Sequence, residues 1–209
     1  MMNFTRRGAL GGALAAVLLL GACVGSTFET AYDQGVAAEV SRGWRVVAVN
    51  VTVPRTLVVS EAKTSLPKAD IVWREDPETG DRYDQVKVIM ENAIRQGAAS
   101  VRGSRAVAFN VTMTRFHALT FEAENRYQNA GVHTVDFIIQ VVDANTGATI
   151  VEAQQIRADF PALSGDQMRA ARAQGQTQKK MITAHVAKTI QSWLGTGPDI
   201  RGQFSRSGG

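Results

Sequence analysis

The sequence predicts an α+β fold in which a roughly four-stranded, mostly antiparallel sheet carries two helices packed on one face. Four stretches alternate apolar and polar residues with a period of two, which is typical of half-buried strands. Two further stretches repeat apolar residues at helical spacing. The order along the chain is strand, helix, strand, strand, strand, helix, and this order defines the predicted architecture.

The first predicted strand, 44–53, is rich in valine and ends before Pro54, which cannot donate a backbone hydrogen bond. After a long polar excursion, Asp81 is a typical N-cap and predicts the start of the first helix. Apolar residues keep helical spacing as far as Gly97, a typical C-terminal stop. Because this helix joins two strands, it permits a crossover that would make one strand pair parallel.

Three more strands are predicted, at 105–118, 132–142 and 148–160. Phe116 breaks the alternation of the first of these, which predicts a bulge near Arg115. The turn 143–147 contains residues that tolerate positive φ, so the last two strands should form a hairpin. The final helix is predicted at 166–194, with a weak point at Gly175.

The chain divides into four parts, which are a signal peptide at 1–22, a lipidated tether at 23–43, a single domain at 44–194 and a disordered tail at 195–209. The tether has apolar residues at four-residue spacing, which fits equally a short helix on the domain or a flexible lead-in. The tail contains glycine and serine without an apolar period. The long central part can bury one core without disulfides.

The N-terminal segment has the parts of a secretory signal. Arg6 and Arg7 stand before an apolar run that is too short to span a bilayer as a finished helix. Gly21 and Ala22 then lead into Cys23, the only cysteine of the chain. The alternative is an ordinary secretory signal or a signal anchor with a chance cysteine. The two arginines also fit a twin-arginine export signal, so both export routes stay open.

The ending Leu20-Gly21-Ala22-Cys23 resembles the lipobox of bacterial lipoproteins. In that family a diacylglycerol is attached to the cysteine sulfur and the chain is cut before this residue, so the resemblance implies lipidation at Cys23. Two or three acyl chains hold a protein durably on its membrane, which here means the cell envelope, facing the periplasm. Val24 stands where an aspartate retains enteric lipoproteins at the inner membrane, so the resemblance implies the outer membrane.

The charge balance argues against a nucleic-acid partner. The chain has 23 basic and 19 acidic side chains. Cleavage of the signal removes two arginines and leaves 21 basic side chains against the same 19 acidic ones. A nucleic-acid-binding protein would show a basic stripe instead. With Cys23 acylated, no thiol remains for a disulfide.

No hydrolase, metalloprotease, phosphate-loop or dinucleotide motif is present, so we expect no catalytic residues. His117 and His133 should meet at the open end of the second and third strands, with Glu122 and Glu124 between them. Two histidines and a carboxylate can bind Zn²⁺. Because the spacing matches no zinc motif, we favour two surface histidines and expect neither a metal nor a cofactor. The basic stretch 169–180 is expected to be a solvated helix face.

The chain from the first strand to the last helix resembles a family of uncharacterised bacterial lipoproteins. The resemblance is carried by Ile71-Val72-Trp73-Arg74-Glu75-Asp76-Pro77, Gly80-Asp81-Arg82, Arg115-Phe116-His117-Ala118, Gly131-Val132-His133 and Gly175-Gln176-Thr177-Gln178. That family has no assigned activity and implies no catalytic residues. More distantly, the order of elements resembles the auxiliary lipoproteins of ABC-type lipid-transport systems.

These observations predict a non-enzymatic binding or accessory module of the cell envelope. Its lipid makes the membrane its first partner, and an envelope protein as a second partner stays open. One alternative is an auxiliary component of lipid or envelope-precursor transport, which would show an exposed apolar groove or an oligomeric ring. The other is an envelope hydrolase, which would show convergent polar groups in a pocket.

Overall fold

The computed structural model of the chain describes residues 26–75 and 77–206. Its strands are β1 (Thr27–Tyr32), β2 (Trp44–Thr52), β3 (Ile71–Val72), β4 (Arg105–His117), β5 (Val132–Asp143), β6 (Thr149–Ala158), β7 (Phe160–Pro161) and β8 (Gly202–Ser205). Its helices are α1 (Ala38–Ser41), α2 (Arg82–Gly97), α3 (Phe121–Arg126), α4 (Asp166–Ala173) and α5 (Gln178–Trp193). The sheet has the order β2-β4-β5-β6-β1-β8, with β3 also paired to β4 and β7 to β5. The pairs β2–β4 and β3–β4 are parallel, and the others are antiparallel.

The predicted fold, a roughly four-stranded and mostly antiparallel sheet with two helices, is wrong. The described residues form an eight-stranded mixed sheet with five helices. Two of the additional strands, β3 and β7, have two residues each, too few to show a period in the sequence. The other two, β1 and β8, lie in the segments predicted as tether and tail.

Several local predictions are confirmed. The strands β2, β4, β5 and β6 lie where alternation placed them, and β5 and β6 form the predicted hairpin. Asp81 caps α2 by accepting hydrogen bonds from the backbone N–H groups of Tyr83 and Asp84. The ladder between β4 and β5 shifts register between Met113 and Arg115, which is the predicted bulge. The crossover through α2 makes β2 and β4 parallel.

The predicted helix at 166–194 is two helices. Gly175 has φ +73°, a left-handed conformation that glycine adopts without strain, and this residue separates α4 from α5. Thr177 then caps α5 by accepting a hydrogen bond from the N–H of Lys180. The chain therefore turns sharply between the two helices, and the N-terminus of α5 is directed at the loop that follows β3.

The core lies between the sheet and the helices α2 and α5. Phe109 of β4 is fully buried and contacts Trp193 of α5 edge to face, with ring centroids 6.0 Å apart. Gly97, the last residue of α2, lies against α5 so closely that an added Cβ would be 2.6 Å from the carbonyl oxygen of Ala187. The absence of a side chain at Gly97 therefore permits the close crossing of the two helices.

From residue 26 onward, the segment predicted as a tether is part of the folded body. Trp193 donates its indole N–H to the carbonyl oxygen of Gln34, and its own carbonyl oxygen accepts the N–H of Val36. The hydroxyl groups of Tyr32 and Ser192 are 2.8 Å apart. The C-terminal end of α5 thus holds the residues that follow β1. The apolar residues at four-residue spacing do not belong to one helix, since Phe28 and Tyr32 lie in β1 and Val40 lies in the short helix α1.

The prediction of a disordered tail is wrong for residues 202–205, which form β8. This strand pairs antiparallel with β1, from Thr27 opposite Ser205 to Thr30 opposite Gly202. Phe28 and Phe204 are adjacent, with ring centroids 5.7 Å apart. Residues 202–205 are ordered because β1 offers a strand edge, a long-range partner that no local pattern could reveal.

We expect Gly97→Ala to lower the free energy of unfolding by about 1–3 kcal/mol, because the added methyl group meets a backbone carbonyl that cannot rotate away. The gain in helix propensity, at most about 1 kcal/mol, offsets only part of this loss. Urea unfolding measures the change. Gly202→Ala is the matched control, since no atom lies within 4 Å of its Cβ position. Equal stability of both variants would contradict the close crossing.

Candidate functional site

A buried polar cluster links the loop after β3 to α3, α4 and α5. We call it the Arg172 network, and its members are Glu75, Glu124, Arg172 and Gln178. Arg172 donates to both carboxylate oxygens of Glu124 and to Glu75, each at 2.8 Å. The side-chain amide of Gln178 donates to Glu124 at 2.6 Å and accepts from the N–H of Leu119 at 2.9 Å. Both glutamates are 5% exposed, whereas the side chain of Arg172 is 32% exposed, so two buried carboxylates meet a partly exposed guanidinium.

The N-terminus of α5 completes the charge balance of the Arg172 network. Two carboxylates face one guanidinium, which leaves an excess negative charge. Glu75 also accepts the backbone N–H groups of Gln178 and Lys179, the first two residues of α5. The partial positive charge at the helix N-terminus therefore stabilises the second carboxylate. Arg172 was expected on a solvated helix face, and that prediction is wrong because its guanidinium reaches these two buried acids.

The predicted histidine pair does not form. In the ladder between β4 and β5, His117 is opposite Thr134, so His133 lies one residue away and on the other face of the sheet. His117 is hydrogen-bonded through Nε2 to the carbonyl oxygen of Ala69 at 2.6 Å. Burial lowers the pKa of His117. Within residues 26–75 and 77–206, no three histidine, cysteine or carboxylate side chains are placed to hold a metal.

His133 is instead buried in the core. Its ring is 4.8 Å from that of Phe160, which stacks on His185 at 4.4 Å. Burial lowers the pKa of His133 to about 3 and that of His185 to about 4. Neither ring nitrogen of His133 has a hydrogen-bond partner among the described residues. This neutral imidazole is packed as a flat apolar side chain.

Two carboxylates lie near the same end of the sheet. Asp159 is 6% exposed, and burial together with the charge of Asp136 raises its pKa to about 6. Burial also raises the pKa of Asp136. One oxygen of each carboxylate has no hydrogen-bond partner among the described residues. The pair therefore favours a protonated carboxyl group at mildly acidic pH.

A cleft opens where the bulged end of β4 meets β5 and the loop before β3. We call it the cationic cleft; its volume is about 350 Å³. Its apolar lining is formed by Phe28, Leu66, Pro67, Val72, Ala118, Leu119 and Val132. Its polar lining is formed by Ser65, Lys68, Arg115, His117, Thr120 and Thr134. His117 and Thr134 alternate with the buried core residues Phe116 and Val135, so they lie on the sheet face turned away from that core.

Two hydrogen bonds hold the loop that forms one wall of the cationic cleft. His117 bonds the carbonyl oxygen of Ala69, and the hydroxyl of Thr120 donates to the carbonyl oxygen of Thr64 at 2.9 Å. Farther along, buried Arg82 donates to Glu61 and to the carbonyl oxygens of Pro77 and Glu78. The polar excursion before α2 is therefore an ordered wall. The predicted candidate His117 positions this wall.

The lysine and arginine that line the cationic cleft have no carboxylate partner within salt-bridge distance. The side chains of Lys68 and Arg115 are exposed, and neither makes a hydrogen bond or a salt bridge to a described residue. Arg115 stands opposite Asp136 in the ladder, and its charge acts to lower the pKa of that carboxyl group. No carboxylate occurs among the described residues that line the cleft. The sequence analysis missed this site. The one signal for the cleft in the sequence was the succession Leu66-Pro67-Lys68 in the long polar loop before α2. The position of Arg115 beside this loop depends on the register of the sheet, which the sequence does not show.

Cys23 lies outside the described residues, so the predicted lipidation site is not tested by the fold. Among the described helices, none combines the length and the apolar character needed to cross a membrane. The described part of the chain begins at residue 26, and Phe28, two residues later, already lines the cationic cleft. The cleft is therefore close in sequence to the predicted anchor.

A family model identifies the protein family to which the chain belongs. The model of a family of unknown function, DUF6778, matches residues 44–208. The chain belongs to this family. The match spans β2 to β8 and therefore includes the Arg172 network and most of the cationic cleft. No curated protein matches the chain.

Solved structures show distant likenesses to this DUF6778 member. A candidate lipoprotein from Caulobacter crescentus CB15 is 16% identical, with a TM-score of 0.38 over 76% of this chain and 93% of the other. The PelC dodecamer subunit from Paraburkholderia phytofirmans is 16% identical, with a TM-score of 0.35 over 80% and 97%. A Xanthomonas campestris protein of the family DUF330 is 14% identical, with a TM-score of 0.39 over 70% and 84%. These values are too low to transfer a function.

We expect Arg172→Met to lower the free energy of unfolding by about 3–5 kcal/mol, because it leaves two buried carboxylates without their cation. Arg169→Met, on the same helix, is the matched control. Arg169 pairs with Asp166 at the exposed surface, so its loss should cost less than about 1 kcal/mol. Urea unfolding of both variants measures the difference. Similar small losses would show that the network contributes no net stability.

We expect His133→Leu to reduce the loss of stability on acidification. The folded pKa values of His133 and His185 lie below the ordinary value, so the unfolded chain binds more protons and stability falls as the pH drops below about 6.5. The raised pKa of Asp159 acts in the opposite direction, since its contribution is lost as the pH rises through about 6. The raised pKa of Asp136 acts in the same direction as that of Asp159, so the test compares the pH dependence of the variant with that of the wild type and isolates the contribution of His133.

Urea unfolding at pH 7 and pH 5 checks this expectation. His133→Leu should remove about 2 kcal/mol of the pH dependence, and at pH 7 its stability should equal or exceed that of the wild type, because an unpaired buried polar group is replaced by an apolar one. An unchanged pH dependence would show that His133 does not carry this effect.

Proposed function

We propose that this DUF6778 member is a lipoprotein of the cell envelope, anchored through Cys23 to the outer membrane and facing the periplasm, where it acts as a non-enzymatic binding or accessory module. One observation carries the proposal, the sequence Leu20-Gly21-Ala22-Cys23 at the end of a short apolar run behind Arg6 and Arg7. A thiol at this position is what lipid attachment requires, and small residues before it allow cleavage.

The geometry of the body supports the proposal. The strand β1 begins at Thr27, so only three residues separate it from Cys23. The body would therefore stand directly on its anchor. The cationic cleft supplies a binding surface with an apolar lining and unpaired cations, which suits a binding module.

The lining of the cationic cleft favours one narrower role, that of an auxiliary component in lipid or envelope-precursor transport. Such a component needs an exposed apolar groove, and Phe28, Leu66 and Leu119 line one here. The hydrolase alternative has less support. His117, the titratable imidazole of the cleft, has its Nε2 bound to a backbone carbonyl.

The anchor is tested by mass spectrometry of the protein purified from envelopes. We expect a mature chain that begins at Cys23 and carries the mass of a diacylglycerol with an additional acyl group. Cys23→Ser should abolish the acyl mass and release the protein from the membrane fraction. Val24→Ala is the matched control, because it changes the neighbouring residue and keeps the thiol.

A chain that begins at another residue, or one that carries no acyl mass, would contradict the proposed function. Membrane retention of Cys23→Ser equal to that of Val24→Ala would contradict it as well. Sedimentation of the two membranes in a density gradient then separates an outer-membrane location from an inner-membrane one.

A further inference from the structure

We infer that the cationic cleft docks on the membrane surface and binds the head group of an anionic phospholipid. The inference rests on the proposed lipidation of Cys23 and adds a second point of contact with the same bilayer. Three observations support it, which are the reach of the chain, the apolar rim of the cleft and its unpaired cations.

The reach of the chain limits how far the cleft can be from the bilayer. Five peptide steps separate Cys23 from Phe28, which lines the cleft. Even a fully extended chain of this length spans at most about 18 Å. The acyl chains place Cys23 at the membrane surface, so one wall of the cleft lies within that distance of the lipid head groups. Because β1 is hydrogen-bonded on both sides, to β6 and β8, the body cannot unwind to lengthen this reach.

The rim of the cleft is suited to the interface between head groups and acyl chains. Leu66 is 64% exposed although it is a large apolar side chain. Phe28 lines the same cleft and is half-buried. An aliphatic and an aromatic side chain at one rim can enter the interfacial region of a bilayer without a spanning helix.

The charge of the surface matches an anionic membrane. Lys68 and Arg115 project from the cleft without ion pairs to the described residues. An adjoining depression shares Ser65 with the cleft and is lined by Lys63, Thr64, Glu122, Asn125 and Arg126. The two surfaces together present four cations of lysine and arginine against the single carboxylate of Glu122. Basic groups held at a membrane surface attract anionic lipids, and a phosphodiester accepts the hydrogen bonds of arginine.

The experiment uses the lipidated full-length mature chain in vesicles. Because the sulfur of Cys23 is alkylated, Leu66→Cys introduces a single free thiol for an environment-sensitive fluorophore. We expect a blue shift of the emission on vesicles of phosphatidylglycerol mixed with phosphatidylcholine, and a much smaller one on phosphatidylcholine alone. Val88→Cys is the matched control, since Val88 is an apolar residue of α2 that is 51% exposed. Its label should stay in water on both kinds of vesicle.

A second pair of variants tests the cations. In the Leu66→Cys background, Lys68→Gln and Arg115→Gln should each lower the ratio of docked to undocked protein about fivefold. Lys87→Gln and Arg95→Gln, on exposed positions of α2, remove the same charges and should leave the ratio unchanged. High salt should act like loss of the cleft cations.

The outcomes separate the inference from the function on which it rests. If the protein neither floats with the vesicles nor carries an acyl mass, both the proposed lipoprotein function and the docking of the cleft are overturned. Protein that floats while the label at residue 66 stays in water would overturn the docking alone. Burial of the label at residue 88, or equal docking on neutral vesicles, would overturn it too.

Discussion

The fold depends on one buried arrangement, in which Arg172 joins two dry carboxylates. Glu75 comes from the loop after β3 and Glu124 from α3, so a single guanidinium holds two separate segments against α4. The N-terminus of α5 supports the second carboxylate through its backbone N–H groups. Buried charges of this kind are strongly destabilising when unpaired, so the network permits few other arrangements of these segments. It thereby fixes the sharp turn at Gly175 and the direction of α5 across the sheet.

The sequence was sufficient for the elements that carry their own local signal. Asp81 could be recognised as an N-cap, Gly175 as a weak point and the change of phase at Phe116 as a bulge, because each leaves a mark within a few residues. The strands β1 and β8 could not be recognised. Their pairing joins residues as far apart as Glu29 and Gln203, and each segment alone is short and only partly apolar. The number of strands was therefore wrong although most strand positions were right.

The candidate site was harder to predict than the fold because it depends on register. His117 and His133 fall at the same end of their strands, as expected, but a shift of one residue places them on opposite faces. The stretches around Glu75 and Gln178 stood out as motifs, yet only the folded chain shows that they meet. Likewise, nothing near Arg115 in the sequence indicates that the loop containing Lys68 lies beside it. Composition correctly showed little net charge but could not show how unevenly the charge is distributed.

The antiparallel pairing of β1 with β8 brings the two ends of the folded body side by side, with Thr27 opposite Ser205. The strand β8 is therefore as close to the start of the described chain as β1 is. In the anchored form proposed above, a reporter domain or affinity tag fused to the C-terminus would be held against the lipid surface. Cargo that must stand clear of the bilayer belongs at the other end of the long hairpin, at the turn between β5 and β6.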